Sequence, residues 1–355
     1  MFVAWRDLRF AKGRFVLIGS VVALITLLVG FLSGLTGGLA AQNISAVLSL
    51  PADQLVFATG SDSDEASFSD SQLTSAQAEA WSKAPGVSSA SPIGITQTRA
   101  ETGSTRAAVA LFGVEPGFDA GAPSKNGVLG LSVAAADSLS AEAGDTVTIA
   151  GTDYRVEVVT GDWWYSHTPV VQMTIDDWRA YSAATGSPDA FATVLAVKGT
   201  PDWAAANEAA DTVSHPPVMA LTAIGAFRSE IGSLLLMVAM LFGISALVIG
   251  AFFTVWTMQR RGDIAILKAL GASTPSLIRD ALGQALVVLV VGVGIGIGLV
   301  ALLGMLAGTA LPFILSPLTT LLPAAIMIAL GLAGAAFALR SVTTADPLTA
   351  LGSNR

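Results

Sequence analysis

The sequence predicts an α-helical membrane protein with four transmembrane helices plus an α+β extracytoplasmic domain between helices 1 and 2. Three observations predict it. Only 12% of the 355 residues are charged while 53% are hydrophobic, about half the charge share of a soluble domain. Charge is missing altogether from Phe15 to Asn43, from Ile231 to Gln259 and from Ala281 to Leu339. The hydrophilic residues are gathered in one segment, 41–230.

Residues 1–15 hold Arg6, Arg9, Lys12 and Arg14 against Asp7 and read as a cytoplasmic amphipathic helix. Residues 16–40 form the first span. Val16 to Leu39 is almost wholly apolar, and at about 1.5 Å per residue it covers roughly 36 Å, enough to cross the hydrocarbon layer with some tilt. Gly38-Leu39-Ala40 loosely fits a signal cleavage site, but the apolar core exceeds the ~7–15 residues of a secretory signal, so a retained helix is the reading. The second span is 231–257, followed by a cytoplasmic loop, 258–280. The third uncharged stretch is too long for one helix. Pro312, Pro317 and Pro323 divide it into a third span, 281–308, an extracellular hairpin, 309–322, and a fourth span, 323–340. Residues 341–355 are a cytoplasmic tail.

Charge sign gives the orientation. The segment 41–230 has 8 Lys and Arg against 22 Asp and Glu, a net −14, and the remaining segments carry +6. Short Lys/Arg-rich loops stay in the cytoplasm, so both termini and the 258–280 loop are placed inside and the acidic domain outside, at a bacterial plasma membrane.

Within 41–230, helix and strand signals are mixed. Thr74 with Gln77 is a capping box opening a helix to Ala84. Ser132 opens a second, to about Glu142, and Thr174 with Asp177 a third, ended by Gly186. Thr200 with Pro201 at the first helical position opens a fourth, ended or interrupted by Pro216-Pro217. Thr146–Ile149 and Tyr154–Val159 read as strands about an Ala-Gly-Thr-Asp turn, with Val109–Val114 and Val194–Val197 as further strands. Ser61–Asp70 reads as a solvated acidic loop. Asp62, Asp64 and Glu65 lack the glycine and terminal glutamate of a calcium loop.

Several function classes are excluded or left without a motif. There is no cysteine, hence no disulfide, thiol or Cys-metal chemistry. The formal net charge of −8 disfavours nucleic acid as a partner. No phosphate-binding loop, zinc-protease motif or nucleophile elbow occurs. Gly292, Gly294, Gly296 and Gly298 alternate inside a span without forming a dinucleotide fingerprint. The two histidines, His167 and His215, read as surface or packing residues, and no structural metal is expected.

In the spans, Gly30, Gly34 and Gly38 lie at i, i+4 spacing, a face that lets helices approach closely. The same spacing recurs at Gly292/Gly296, Gly294/Gly298 and Gly304/Gly308. Met237 and Met240 lie near the outer half of the second span. Phe227, Arg228 and Glu230 sit at its outer mouth.

The cytoplasmic loop reads Gln259-Arg260-Arg261-Gly262-Asp263-Ile264-Ala265-Ile266-Leu267-Lys268-Ala269-Leu270-Gly271-Ala272-Ser273. Ile264, Leu267 and Leu270 share a helical face. Gly271 is placed to end that helix. Ser273 or Thr274 can cap the next, with Pro275 in its first turn. The loop resembles the "R-x-x-[DE]-I-x-x-L-K-A-L-G-A-S" signature of MacB/FtsX-type ABC transporter permeases, with Asp263 in place of the commoner Glu. Trp5-Arg6-Asp7-Leu8-Arg9 is similar to that family's N-terminal helix, and Ala345-Asp346-Pro347-Leu348-Thr349-Ala350-Leu351 to its closing motif. Val128–Ser132 and Gly144–Val147 resemble pieces of the family's outer domain. Gly161-Asp162-Trp163-Trp164-Tyr165-Ser166-His167-Thr168-Pro169-Val170-Val171 resembles the HrtB-like heme-exporter permease branch of Gram-positive bacteria.

The resemblance implies a homodimeric permease, non-catalytic itself, embedded in membrane lipid and driven by a separate dimeric ATPase on which the ATP-Mg chemistry resides. Asp263, Ile264, Leu267, Lys268, Leu270 and Gly271 would then couple to that ATPase. Two copies would pack through the Gly-bearing faces of their first and second spans. No intrinsic cofactor is implied. The substrate would be hydrophobic and enter laterally from the outer leaflet, with heme the leading candidate. Phe227, Phe31, Met237 and Met240 would give apolar contact, Arg228 would pair with a propionate, and Glu230, Asn43, Met219 or His215 would approach the iron. The alternatives are an FtsX-like permease that transmits a signal to a cell-wall hydrolase, and a lipoprotein or peptide exporter of the same fold.

Overall fold

The computed structural model describes residues 12–59, 65–259, 271–308 and 311–343, with 262, 266 and 268. In chain order the elements are α1 (Lys12–Ser49), β1 (Gln54–Ala58), α2 (Ser75–Lys83), β2 (Val87–Thr102), β3 (Thr105–Val114), β4 (Val128–Leu131), α3 (Val133–Leu139), β5 (Thr146–Ile149), β6 (Thr152–Val159), β7 (Trp164–Tyr165), β8 (Thr168–Thr174), α4 (Ile175–Ala184), β9 (Val194–Gly199), α5 (Trp203–Ala210), β10 (Thr212–His215), α6 (Pro217–Ala220), a 3-10 turn (Leu221–Ala223), α7 (Gly225–Gln259), α8 (Thr274–Ala307) and α9 (Pro317–Thr343). They form two units, one from residues 1–38 and 233–355, the other from 39–232.

Among the described residues, α1, α7, α8 and α9 are long and apolar enough to cross a membrane. Each differs at its ends from the sequence reading. The first helix, expected over 16–40, runs unbroken from Lys12 to Ser49; residues 1–11 of the expected N-terminal helix lie outside the described residues. The second starts at Gly225, before the expected 231, and the third at Thr274, before the expected 281. The fourth begins at Pro317 and carries Pro323 inside it, so the hairpin expected over 309–322 is shorter. Ser316 explains the early start. Its hydroxyl accepts from the Thr319 N–H (3.2 Å) and its own N–H donates to Thr319 Oγ1 (3.0 Å), a cap that places Pro317 at the first helical position, where its missing N–H costs nothing. Pro323 forgoes only one ladder bond. The tail expected over 341–355 is described only to Thr343.

In the helical unit the four helices share one apolar core. Val22 and Val29 of α1, Phe253 of α7, Leu289 of α8 and Met327 of α9 lie in it. Glycines bring α1 and α8 together: a Cβ on Gly292 would meet Val22, on Gly296 Thr26, and on Gly30 Val300. Gly34 receives the Phe313 ring, and Gly38 the Pro312 carbonyl. The face expected to pack a second copy is therefore filled by the chain's own α8 and the 311–316 segment.

In the other unit one sheet runs β10-β1-β9-β2-β3-β8-β4-β6-β5, and β5 pairs back onto β2. The last six strands thus close into a ring. Strand β2 joins the two parts. Its first half pairs with β9 and its second with β3. Pairing is parallel for β3–β8 and β4–β6 and antiparallel elsewhere. Alternation along β3 sends Val109 and Leu111 into one core with Trp178 and Leu139, and Ala110, Phe112 and Val114 into another with Phe57 and Tyr165, as a pleat of period 2 requires. The outer end of α1 enters this second core through Ala46, Val47 and Leu50. The opposite face of β1 and β9 is covered by Trp81 of α2 and Trp203 of α5.

The expected caps at Thr74, Ser132 and Thr174 are present, and Thr74 with Gln77 makes the full capping box. The Ser132 helix stops earlier than Glu142, because Ser140 turns left-handed (φ 50°). The fourth helix differs. Asp202, not Thr200, is its N-cap, accepting from the Ala205 N–H at 3.2 Å, and Asp211 in the left-handed region (φ 52°) ends it before the prolines. Residues 212–215 then form an edge strand. The Ser61–Asp70 loop is not all solvated: Phe68 is buried edge-to-face against Phe57 and Tyr165, with centroids 4.9 and 5.8 Å apart. Residues 60–64 of it, including Asp62 and Asp64, lie outside the described residues.

Candidate functional site

Three chain segments meet around Glu230: the outer extension of α1, the β7–β8 hairpin, and the first turns of α7. The hairpin has a two-residue loop, Ser166-His167, with φ of 48° and 63° between the paired Tyr165 and Thr168. Positive φ at both central residues is the geometry that matches strand twist in tight hairpins. The loop is fixed to α1 through its backbone. Ser166 N–H donates to the Asn43 carbonyl (3.0 Å) and His167 N–H to the Gln42 carbonyl (2.9 Å). One helical turn on, Ser45 Oγ accepts from the Trp164 N–H at 2.9 Å.

This docking brings the His167 side chain to Glu230. His167 Nε2 lies 3.1 Å from both carboxylate oxygens. A carboxylate only accepts, so Nε2 carries the proton and donates. Asn43 Nδ2 donates to Glu230 Oε2 at 3.1 Å and lies 3.0 Å from His167 Nε2. Asn43 is 1% exposed and its Oδ1 is buried without a hydrogen-bond partner. The His167 and Glu230 side chains remain 33% and 42% exposed. One side of the cluster is therefore closed and the other reachable from solvent.

Arg228 lies two residues before Glu230 and donates to Glu65 Oε2 at 2.8 Å. Both side chains are exposed, so water screens the pair and it contributes little stability. They line a polar cavity of about 240 Å³ together with Ser67, Asp70 and Thr222. Phe227 packs against the core that holds Phe57 and Tyr165. Burial pushes the Tyr165 phenol well above its ordinary pKa.

The structure thus unites two of the expected iron-approaching residues, Asn43 and Glu230, and adds His167, which the sequence alone reads as a surface or packing residue. It does not add the other two: His215 pairs opposite Leu55 in β10, and Met219 is exposed on α6. In the helical unit, Phe31 is stacked on Phe313, centroids 5.0 Å apart, while Met237 and Met240 are exposed. The signal for His167 was a two-residue loop between strand-forming runs, but its partners stand 63 and 124 residues away. Among the described residues no group of three or more His, Cys, Asp or Glu gathers as a metal site.

Of the expected coupling residues, Asp263, Ile264, Leu267 and Leu270 lie outside the described residues. Gly262, Ile266 and Lys268 are helical. Gly271, in the left-handed region (φ 93°), donates its N–H to the Lys268 carbonyl at 3.0 Å, and α8 follows with Ser273 at its N-cap position and Pro275 in its first turn.

Residues 235–347 match the FtsX-like permease C-terminal family. The chain is 28% identical to a putative hemin transport system permease protein HrtB of Staphylococcus haemolyticus, covering 99% of each chain. It is 26% identical to the protein of the same name from Staphylococcus epidermidis, covering all of both. An uncharacterized ABC transporter permease of Mycobacterium tuberculosis is 25% identical over 99% of each. Two solved extracytoplasmic regions are similar at low scores: the periplasmic region of MacB from Actinobacillus actinomycetemcomitans (TM-score 0.35, 12% identity, 49% of this chain and 92% of that one) and the extracellular domain of the ABC-type transporter YknZ (0.32, 13%, 47% and 91%). The chain is thus similar over its whole length to transport-system permeases and carries, at residues 235–347, a segment that matches the FtsX-like permease C-terminal family, on a frame whose described residues include four helices long and apolar enough to cross a membrane.

Proposed function

We propose that this permease is the membrane subunit of an ABC-type efflux pump, driven by a separate ATPase, and that it exports heme taken laterally from the outer leaflet. The convergence of Asn43, His167 and Glu230 carries the reading. Asn43 lies in the first uncharged run, which continues to Ala52, and Glu230 immediately precedes the second, so the sequence sets Glu230 at the border of the apolar layer and the structure brings Asn43 to it. Carboxylate and imidazole are donors suited to iron. Arg228 would exchange Glu65 for a heme propionate in a charge-assisted bond. The names of the staphylococcal relatives support the same substrate class. Two copies act together with a dimeric ATPase that binds ATP-Mg and docks on the 258–280 loop.

The test is a hemin titration of the purified permease, followed by transport in proteoliposomes containing its ATPase. The expected result is a saturable Soret shift that Glu230→Gln abolishes, and ATP-dependent loss of membrane-loaded hemin. A wild-type protein that gives no Soret shift overturns heme as the substrate and leaves the signal-transmitting and peptide-exporting readings.

A further inference from the structure

We infer that His167 is the positioning residue of the heme site: it acts through Glu230, holding that carboxylate in place while Glu230 alone takes the iron. This inference rests on the proposed heme reading. Two donors 3.1 Å apart on one side of a ligand cannot both bind the same face of a heme, which offers one axial position there. The lone-pair inventory decides between them. A carboxylate has about four acceptor positions and an imidazole nitrogen has one. Glu230 is the acceptor shared by His167 and Asn43, whereas the His167 Nε2 that faces it carries the donated proton and so has no lone pair to give a metal.

The hairpin fits this role. Its Ser166 and His167 amides are bonded to the Asn43 and Gln42 carbonyls of α1, and both loop residues hold positive φ. The imidazole therefore stands on a fixed tip rather than on a free loop. Asn43, 1% exposed, adds a second fixed donor from α1 itself. Glu230 is held by donors from two other elements, Asn43 of α1 and His167 of the β7–β8 hairpin. A ligating carboxylate oriented by hydrogen bonds of this kind characteristically loses about 10–100-fold in metal affinity when the orienting partner is removed.

The experiment titrates the full-length solubilised permease with hemin and, in parallel, with iron-free protoporphyrin IX. The loss variant is His167→Asn, because asparagine tolerates the left-handed backbone of the hairpin but is too short to reach Glu230. The rescue variant is His167→Gln, whose amide N–H reaches further. The expected result is hemin affinity lowered about tenfold or more in His167→Asn with an altered Soret band, substantial recovery in His167→Gln, and unchanged binding of the iron-free porphyrin in both. Hemin binding by His167→Asn equal to wild type overturns the inference. So does an equal loss for both porphyrins, which would mark a purely structural residue. If wild type shows no iron-dependent binding, the substrate reading itself fails. If wild type binds and Glu230→Gln does not, an undisturbed His167→Asn removes the positioning role alone.

Discussion

The ring of Phe313 lies over Gly34, leaving no room for a Cβ there, and the same ring stacks on Phe31 one face away at 5.0 Å. The Ile314 N–H also donates to the Gly34 carbonyl at 3.2 Å. Gly34→Leu is therefore expected to destabilise the folded chain by about 1–3 kcal/mol through overpacking. Thermal unfolding in detergent measures it. Gly294→Leu is the control, because a Cβ at Gly294 meets nothing within 4 Å. Equal melting of the two variants would show that Phe313 does not occupy this seat. The self-association of folded protein is expected to be unchanged in Gly34→Leu, since the face is filled from within the chain.

Asp202 caps α5 with its side chain, whereas the exposed Thr200 makes only a backbone bond to Gly86. Asp202→Ala is expected to cost about 0.5–2 kcal/mol, the usual loss for a side-chain cap. Thr200→Ala is expected to be close to neutral. Chemical denaturation of the two variants, followed by tryptophan fluorescence, compares them directly. A larger loss in Thr200→Ala would move the cap back to the position the Thr-Pro pair suggests.

Burial raises the Tyr165 phenol well above its unfolded value of 10.0. The folded state thus favours the protonated phenol. The associated stability is intact below the unfolded pKa and is lost as pH rises above it toward the folded value. Tyr154 adds to the same trend, raised by burial and then by the charge of Asp177. The melting temperature is expected to fall between about pH 9 and about pH 11. The fall should be shallower in Tyr165→Phe, which keeps the ring contacts with Phe68 and Phe112. Parallel pH profiles for the two proteins would contradict this origin.

The sequence spaces Leu267 at helical intervals from Ile264 and Leu270 in the proposed coupling signature. On the proposed coupling role, Leu267→Asp would set a charge in an apolar docking surface, where single central residues carry much of the binding energy. ATPase stimulation by the permease is expected to be lost while membrane insertion and hemin binding remain. Retained stimulation would take the coupling role away from this loop.

The local features were legible because their signals are local. Thr74 with Gln77 sits within one helical turn, and Thr146–Ile149 alternates over four residues. Pro323 misled because proline was read as a boundary. Ser316 and Pro317 supply a better start six residues earlier. The edge strand Thr212–His215 is hidden in the sequence because its pairing partner among the described residues, β1, lies more than 150 residues upstream.

The sequence by itself determined the four helices long and apolar enough to cross a membrane and most helix caps. These follow from composition, periodicity and nearest neighbours, which act along the chain. Tertiary structure alone decided which residues meet. It seated Gly30, Gly34 and Gly38 against the chain's own Val300, Phe313 and Pro312 rather than a second copy. It also brought Asn43, His167 and Glu230 to within about 3 Å of one another. The reason is physical: a glycine face states that something packs closely, and a hairpin tip states that a side chain is presented, but only the packed core fixes what stands opposite.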